Sequence, residues 1–164
     1  MPWIYVNSID VNTEALEMTL SSAIFHECPV TPSLVRATAA SLPFAGESFD
    51  LAVMQAFLTV VDSAEKRAKI IREACRVLKP GGYLYIADFG QTWHSEIYRE
   101  RYLRDLPVTK EEGSFLAYDE KTGEVAYVAH HFTEKELIFL LVKNGFEVEF
   151  FKTGYFCDKD GESG

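Results

Sequence analysis

Asp10 is the first residue whose type and place could do chemistry. It closes the stretch "IYVNSID", and the helix-start signal Asn12–Thr13–Glu14 follows at once. A carboxylate at the C-terminal end of a buried strand can accept hydrogen bonds from both hydroxyls of a ribose. An acid there can equally serve the first turn of the following helix, where the macrodipole favours negative charge. Among the 4 histidines, His26, His94, His130 and His131, a general base needs only to lie within reach of the proton it takes. The pair His130–His131 stands just before the last helical pattern, and packing is the competing account of it. Arg101 and Arg104 fall on one helical side, which reads as a solvated face more readily than as an anion site. No Ser-His-Asp set or nucleophile elbow is present, so no residue is assigned as catalytic.

Two other patterns are set aside on physical grounds. "LKPGG", Leu78 to Gly82, resembles a phosphate loop in composition only. Such loops run from a strand into a helix, so that the helix N-terminus faces the anion; here the glycines follow a helix and lead into a strand. His26 and Cys28 are close, but no second pair completes a tetrahedral metal site. The 3 cysteines, Cys28, Cys75 and Cys157, form no C-x-x-C pair and fit a reducing cytosol.

The elements that must position these residues are legible from pattern. Ile4–Val11 reads as a strand and Asn12 as the N-cap of a helix carrying Ala15, Leu16, Leu20 and Ala23 on one face. Leu34–Ala39 is a short strand, and the turn-rich stretch Ser41–Asp50 leads into the apolar run from Asp50 to Val61. Asp62 with Glu65 suggests a capping box. Ala64, Ala68, Ile71, Cys75 and Leu78 then recur at helical spacing, and the helix ends at Lys79–Pro80–Gly81. Tyr83–Phe89 is the next buried strand, so this stretch is a βαβ unit with parallel strands.

The segment from Gly90 to His131 breaks the alternation, with a helix expected over Ser95–Leu106 and a hairpin turning at Lys121–Gly123. It reads as an insert over one end of the sheet. Thr133 with Glu136 caps a last helix, Phe132 and Leu137 suit a hydrophobic staple, and Asn144–Gly145 stop it. Phe146–Phe151 alternates as a half-exposed strand does.

Length and composition bound the function. The chain has 164 residues, which is one domain on length with room for a core. A formal charge of -9 argues against a nucleic-acid surface, which needs clustered cations. No apolar run approaches the ~20 residues needed to cross a bilayer, and no signal peptide is visible. A cytoplasmic protein is expected.

The order of the pieces "IDVNTEAL", "LPFAGESFD" and "EACRVLKPGG", closing on "HFTEKELIFLLVKNGFEVEFF", resembles the class I S-adenosylmethionine-dependent methyltransferases. The nearest branch is the small-molecule enzymes of quinone-biosynthesis type. The resemblance implies a Rossmann-like α/β fold, a mostly parallel sheet with helices on both faces. It implies S-adenosylmethionine as cofactor and a small molecule as methyl acceptor. Asp10 would hold the cofactor ribose, Val11 would lie against the adenine, and Thr38 and Ala39 would meet the adenine edge. Gln55 would line the methionine end. The family usually has Asp where Thr38 stands, and a hydroxyl bonds the adenine amine more weakly than a carboxylate does. Methyl transfer from a sulfonium is an in-line displacement in which the protein mainly aligns donor and acceptor, so little catalytic signature is expected.

The family also places a glycine-rich turn after a central first strand, and the chain shows neither. The expectation is therefore a single methyltransferase-like domain over residues 1–164, short at the N-terminus and at the C-terminus, with methyl transfer impaired. Stranding backbone groups beside an absent central strand is costly, and a homodimer is a natural way to cover them. The competing expectation is a non-catalytic binding or oligomerisation module of the same fold.

Overall fold

A computed structural model describes residues 4–154. The first unit is β1 (Asn7–Asp10), α1 (Thr13–Phe25) and β2 (Ser33–Arg36), with β1 and β2 parallel in the register Asn7↔Ser33 to Asp10↔Arg36. Its corner is locked by two successive bonds. Asp10 Oδ1 accepts the Asn12 N–H at 2.8 Å, and the Asn12 side chain accepts the Glu14 N–H at 2.8 Å. The cap stands at Asn12, as its residue type predicts. Both strands are shorter than expected. Past Arg36 the backbone leaves the ladder, because Thr38 bridges back to Ser41 in a turn.

The second unit is β3 (Phe49–Gln55), a single 3₁₀ turn at Leu58–Val60, α2 (Ala64–Val77) and β4 (Leu78–Ala87). β3 and β4 are parallel, as the βαβ reading requires. The N-cap is Ser63, not Asp62: Ser63 has extended backbone and its hydroxyl accepts the Lys66 N–H at 3.3 Å. Asp62 instead pairs with the Lys66 ammonium at 2.7 Å. Two good capping residues stand in succession, and side-chain spacing alone does not choose between them. "LKPGG" is also corrected, since strand structure starts at Leu78. Gly81, at φ 77, provides a bend, and the register shifts opposite Phe49 and Leu51. A Cβ at Gly82 would lie 3.0 Å from the Lys79 carbonyl and 3.1 Å from that of Asp50. The glycines thus let one strand bulge past the start of the other.

The third unit is α3 (Glu96–Thr109) with the antiparallel hairpin β5 (Ser114–Tyr118) and β6 (Val125–His130). The hairpin turns where expected, closed by the Asp119 N–H to the Glu124 carbonyl at 2.9 Å. α3 outruns its expected end at Leu106 even though Pro107 lies inside it, because the Lys110 N–H still reaches the Leu106 carbonyl at 2.9 Å. α4 (Glu134–Lys143) is capped by Thr133, whose hydroxyl accepts the Glu136 N–H at 3.2 Å. Phe132 and Leu137 join one core cluster, as a staple would. The expected strand Phe146–Phe151 pairs with nothing among the described residues, and Phe150 is exposed. Alternation supplies a suitable face, but a strand also needs a free edge within reach.

The main core joins Leu58, Ile70, Ile71 and Phe132, with Met54, Leu84, Ile86 and Leu137 against it. α2 therefore packs between the inner face of β3–β4 and α4. Each fully buried side chain of this size contributes about 1.5–3 kcal/mol. Arg76 ties the connection after β2 onto α2, donating to the carbonyls of Phe44 at 2.9 Å and Leu42 at 3.2 Å. A second cluster, Tyr102, Phe115 and Ala129, holds α3 on the hairpin.

Each strand pair forms its own two-stranded sheet among the described residues, so the expected continuous sheet is divided. On the outer face of β3–β4, Leu51, Val53, Tyr83 and Tyr85 are 56–61% exposed. Parallel strands are ordinarily covered on both faces, so this face is unusual.

Candidate functional site

The carboxyl ends of parallel strands are where α/β sheets bind ligands, and the expected site residues all stand there. Asp10 and Val11 end β1, and the Ala37 N–H donates to the Asp10 carbonyl at 3.0 Å, which sets Thr38 and Ala39 beside them. Asp10 Oδ1 is held by the Asn12 N–H, while Oδ2 meets no partner among the described residues. Val11 is exposed, and the Thr38 hydroxyl accepts the Ala40 N–H at 3.3 Å. These four residues make one edge. Gln55 lies apart from them, at the end of β3, on a cleft of about 2170 Å³ that Asp10, Val11, Thr38 and Ala39 do not line.

The wall around Gln55 is built by residues that sequence reasoning missed. Ala56 is left-handed at φ 48, a rare conformation for alanine, and its N–H donates to the Ala87 carbonyl at 2.8 Å. Asp88, just past β4, accepts from the Leu58 N–H at 2.8 Å and the Thr59 N–H at 3.3 Å through one oxygen, and from the Phe89 N–H at 2.9 Å through the other. Burial pushes its carboxyl above the usual range despite these bonds. Asp88 thus fixes the turn that leaves β3. The signal was available, since "YIAD" ends in an acid as "NSID" does.

The two neighbouring histidines have different surroundings. His131 lines the cleft; its Nδ1 is 2.7 Å from the Tyr102 hydroxyl and its ring stacks on Phe89 at 5.6 Å and 22°. Burial foremost, then the charges of His130 and Arg101, pushes its pKa down to about 4. The Phe132 N–H bonds the Phe89 carbonyl at 2.9 Å and the Gln91 N–H bonds the Phe132 carbonyl at 2.9 Å. His131 is thereby fastened at the carboxyl end of β4. Arg101 and Arg104 are both exposed, as a solvated face requires, and the Arg101 guanidinium lies over the rings of Tyr98 and Phe115. Arg104 makes two bonds to Asp105, at 2.7 and 2.8 Å, and holds that carboxyl below its ordinary range.

His130 is only 1% exposed, and its ring nitrogens meet Ser114 Oγ and Glu136 Oε1, each at 2.8 Å. Ser114 also bonds Glu111, which pairs with the guanidinium of Arg67. The outline is that of a serine, a histidine and an acid, but Ser114 is 0% exposed and cannot meet a substrate. Donor atoms of Glu111, His130 and Glu136 lie within 4.8 Å of one another, a spacing a metal could use, but Arg67 already supplies the cation there. The network cross-links α2, the hairpin and α4. Against burial, which acts the other way, the His130 bond leaves the Glu136 carboxyl below its ordinary value.

Comparison with known proteins bears on the fold and the family. A family described as "Methyltransferase domain" matches residues 3–86. A solved SAM-dependent methyltransferase from Methanosarcina mazei is 47% identical, with a TM-score of 0.85 over 97% of this chain and 77% of that one. Another from Thermotoga maritima, at 24% identity and TM-score 0.56 over 85% and 54% of the two chains, shares the fold. The ubiquinone/menaquinone biosynthesis C-methyltransferase UbiE of Francisella philomiragia is 32% identical over 101 residues, 60% of this chain and 39% of that protein. The chain spans 33–39% of the length of the first curated relatives it matches. The family match takes in more than half of the chain and the architecture is Rossmann-like, so the chain belongs to the class I S-adenosylmethionine-dependent methyltransferases.

Proposed function

We propose that the chain binds S-adenosylmethionine at the carboxyl ends of its parallel strands and passes the methyl group to a small-molecule acceptor in the cleft beside Gln55. The carrying observation is Asp10, whose carboxylate is held at the end of β1 by the Asn12 N–H with Oδ2 left open. That acceptor group fits a ribose diol, whose hydroxyls donate. The cofactor, when bound, supplies a methyl group already activated on a sulfonium. Asp10 accepts the ribose hydroxyls, Val11 offers an apolar face to the adenine, and Thr38 and Ala39 stand at its edge. Gln55 orients the donor from the end of β3. Asp88 keeps the turn after β3 closed so that Gln55 and Ala56 hold their places. No general base is built into this account, because alignment and desolvation carry the displacement. The chain is read as a single methyltransferase-like domain, and the unpaired Cys28 and Cys75 support a reducing, cytoplasmic setting.

Calorimetric titration of S-adenosylhomocysteine into the chain, beside an Asp10→Ala control, tests this. Binding lost by at least tenfold in the control supports the assignment. A folded chain that binds nothing overturns it.

A second reading, a non-catalytic module that associates through its sheet, is favoured by the bare outer face of β3–β4. Sedimentation equilibrium of the chain and of a Leu51→Ser/Val53→Ser variant separates the two readings. A dimer abolished by the substitutions, together with no binding of S-adenosylhomocysteine, selects the module.

A further inference from the structure

The cleft beside Gln55 has a polar group that the account above leaves unused. His131 is fixed from behind by Tyr102, whose hydroxyl lies 2.7 Å from Nδ1 and also receives the Thr92 N–H at 3.3 Å. Burial pushes the Tyr102 phenol upward, so it keeps its proton, and His131 itself is neutral near pH 7. With the Thr92 N–H already donating to the phenolic oxygen, the short approach of Nδ1 favours the phenolic proton as the bridging one. A neutral imidazole that accepts at Nδ1 carries its hydrogen on Nε2. That nitrogen meets no partner among the described residues, and His131 lines the cleft. Around it stand aromatic walls: Phe89 stacked on the imidazole and 47% exposed, with Trp93 and Tyr98 lining the same cleft.

We infer that His131 is a fixed hydrogen-bond donor for an oxygen of the methyl acceptor, and that the aromatic walls take an acceptor built on a planar ring. The assignment deepens the methyl-transfer reading and rests on it for the word acceptor. A neutral imidazole directed in this way holds an oxygen as a hydrogen-bond donor, not as a base. An aromatic enclosure can also take a quaternary cation. Here the wall carries the donor hydrogen of His131, and the charge of Arg101, whose guanidinium lies over Tyr98 at 5.5 Å, reaches that imidazole from outside the cleft. Both repel a cation and suit a hydroxyl, carbonyl or oxyanion. Tyr102 touches no ligand in this account and is a positioning residue, acting by fixing the His131 tautomer.

Fluorescence titration with 1-naphthol and with naphthalene tests the inference, because the two differ by one oxygen. The wild-type chain should bind 1-naphthol roughly fivefold more tightly, the worth of one ordinary hydrogen bond. His131→Phe should bring the two affinities together, and His131→Gln, which keeps a donor, should restore most of the preference. Tyr102→Phe should lower the preference for 1-naphthol and leave naphthalene binding unchanged, which a general loss of packing would not do. Equal wild-type affinities, no binding of either probe, or a preference that survives His131→Phe overturns the inference. A preference that survives Tyr102→Phe overturns the role given to the tyrosine. The same preparations titrated with S-adenosylhomocysteine keep the two proposals apart. Cofactor binding without the 1-naphthol preference removes this inference alone; the preference without cofactor binding removes the methyl-transfer reading and leaves the ring site standing.

Discussion

The chain contains two β-α-β units that read alike in sequence and differ in what covers them. In β3–α2–β4 the helix buries Arg67, Ile70, Ile71, Ala74 and Val77. In β1–α1–β2 the helix buries only Leu16, while Met18, Ile24 and Phe25 stand 65–81% exposed. The caps at Asn12 and Ser63 are equally well made, but α2 gathers its apolar residues on one face while those of α1 are spread around the helix. The neighbours differ as well. α2 lies against α4 and the β3–β4 pair, whereas α1 contacts little beyond its own two strands. A β-α-β unit acquires its secondary structure from local chemistry and its stability from what packs on it.

Substitutions can break that comparison, beginning with the largest effects. Ile71→Ala empties a site of 0% exposure in the main core and should cost about 3 kcal/mol, read as a lowered urea midpoint. Arg67→Met should cost a similar amount, roughly 3–5 kcal/mol, because it leaves Glu111 and Glu136 facing each other without their cation. Met18→Ser on α1 should stay within about 0.5 kcal/mol. A Met18 effect as large as that of Ile71 would show that α1 is covered in solution.

Acid sharpens the comparison from another side. His131 has a folded value of about 4 against an ordinary 6.5, so the unfolded chain takes up the proton first. Its contribution is complete above about pH 7 and is lost as pH falls from about 6.5 to about 4, up to about 3 kcal/mol in all. Asp88 acts in the opposite sense, since burial raises its value and its ionisation costs stability as pH rises through it. Subtracting the urea-derived stability of His131→Gln from that of the wild type across pH 4–7 isolates the histidine. A flat difference contradicts the buried, neutral imidazole.

The smallest test concerns the start of α2. Ser63→Ala should cost about 1 kcal/mol and Asp62→Ala less than about 0.5 kcal/mol, since the exposed Asp62–Lys66 pair adds little. Thermal melts that reverse this order would restore Asp62 as the cap.

Much of the architecture was legible because it depends on near neighbours. The caps at Asn12 and Thr133 and the hairpin turn before Glu124 follow from residues a few places apart, and the parallel pairing of β3 with β4 follows from the helix that joins them. Phe146–Phe151 was misread because a strand needs an edge, and alternation says nothing about where an edge lies. Asp10 and Gln55 are expected from strand ends and family resemblance, but the contacts that build the cleft wall between distant segments are not. Tyr102 approaches His131 across 29 residues, and Asp88 reaches back 30 to hold Leu58.

The sequence by itself determined where helices start to within a residue, which faces are apolar, and the family to which the order of motifs belongs. These are properties of spacing and residue type along the chain. Only the tertiary structure decided that His131 lines the cleft while His130 is sealed in an ion network, although the two are adjacent in sequence. At the end of a strand successive side chains point to opposite sides, and what lies on each side is set by distant segments. The same dependence left one βαβ unit covered and the other bare.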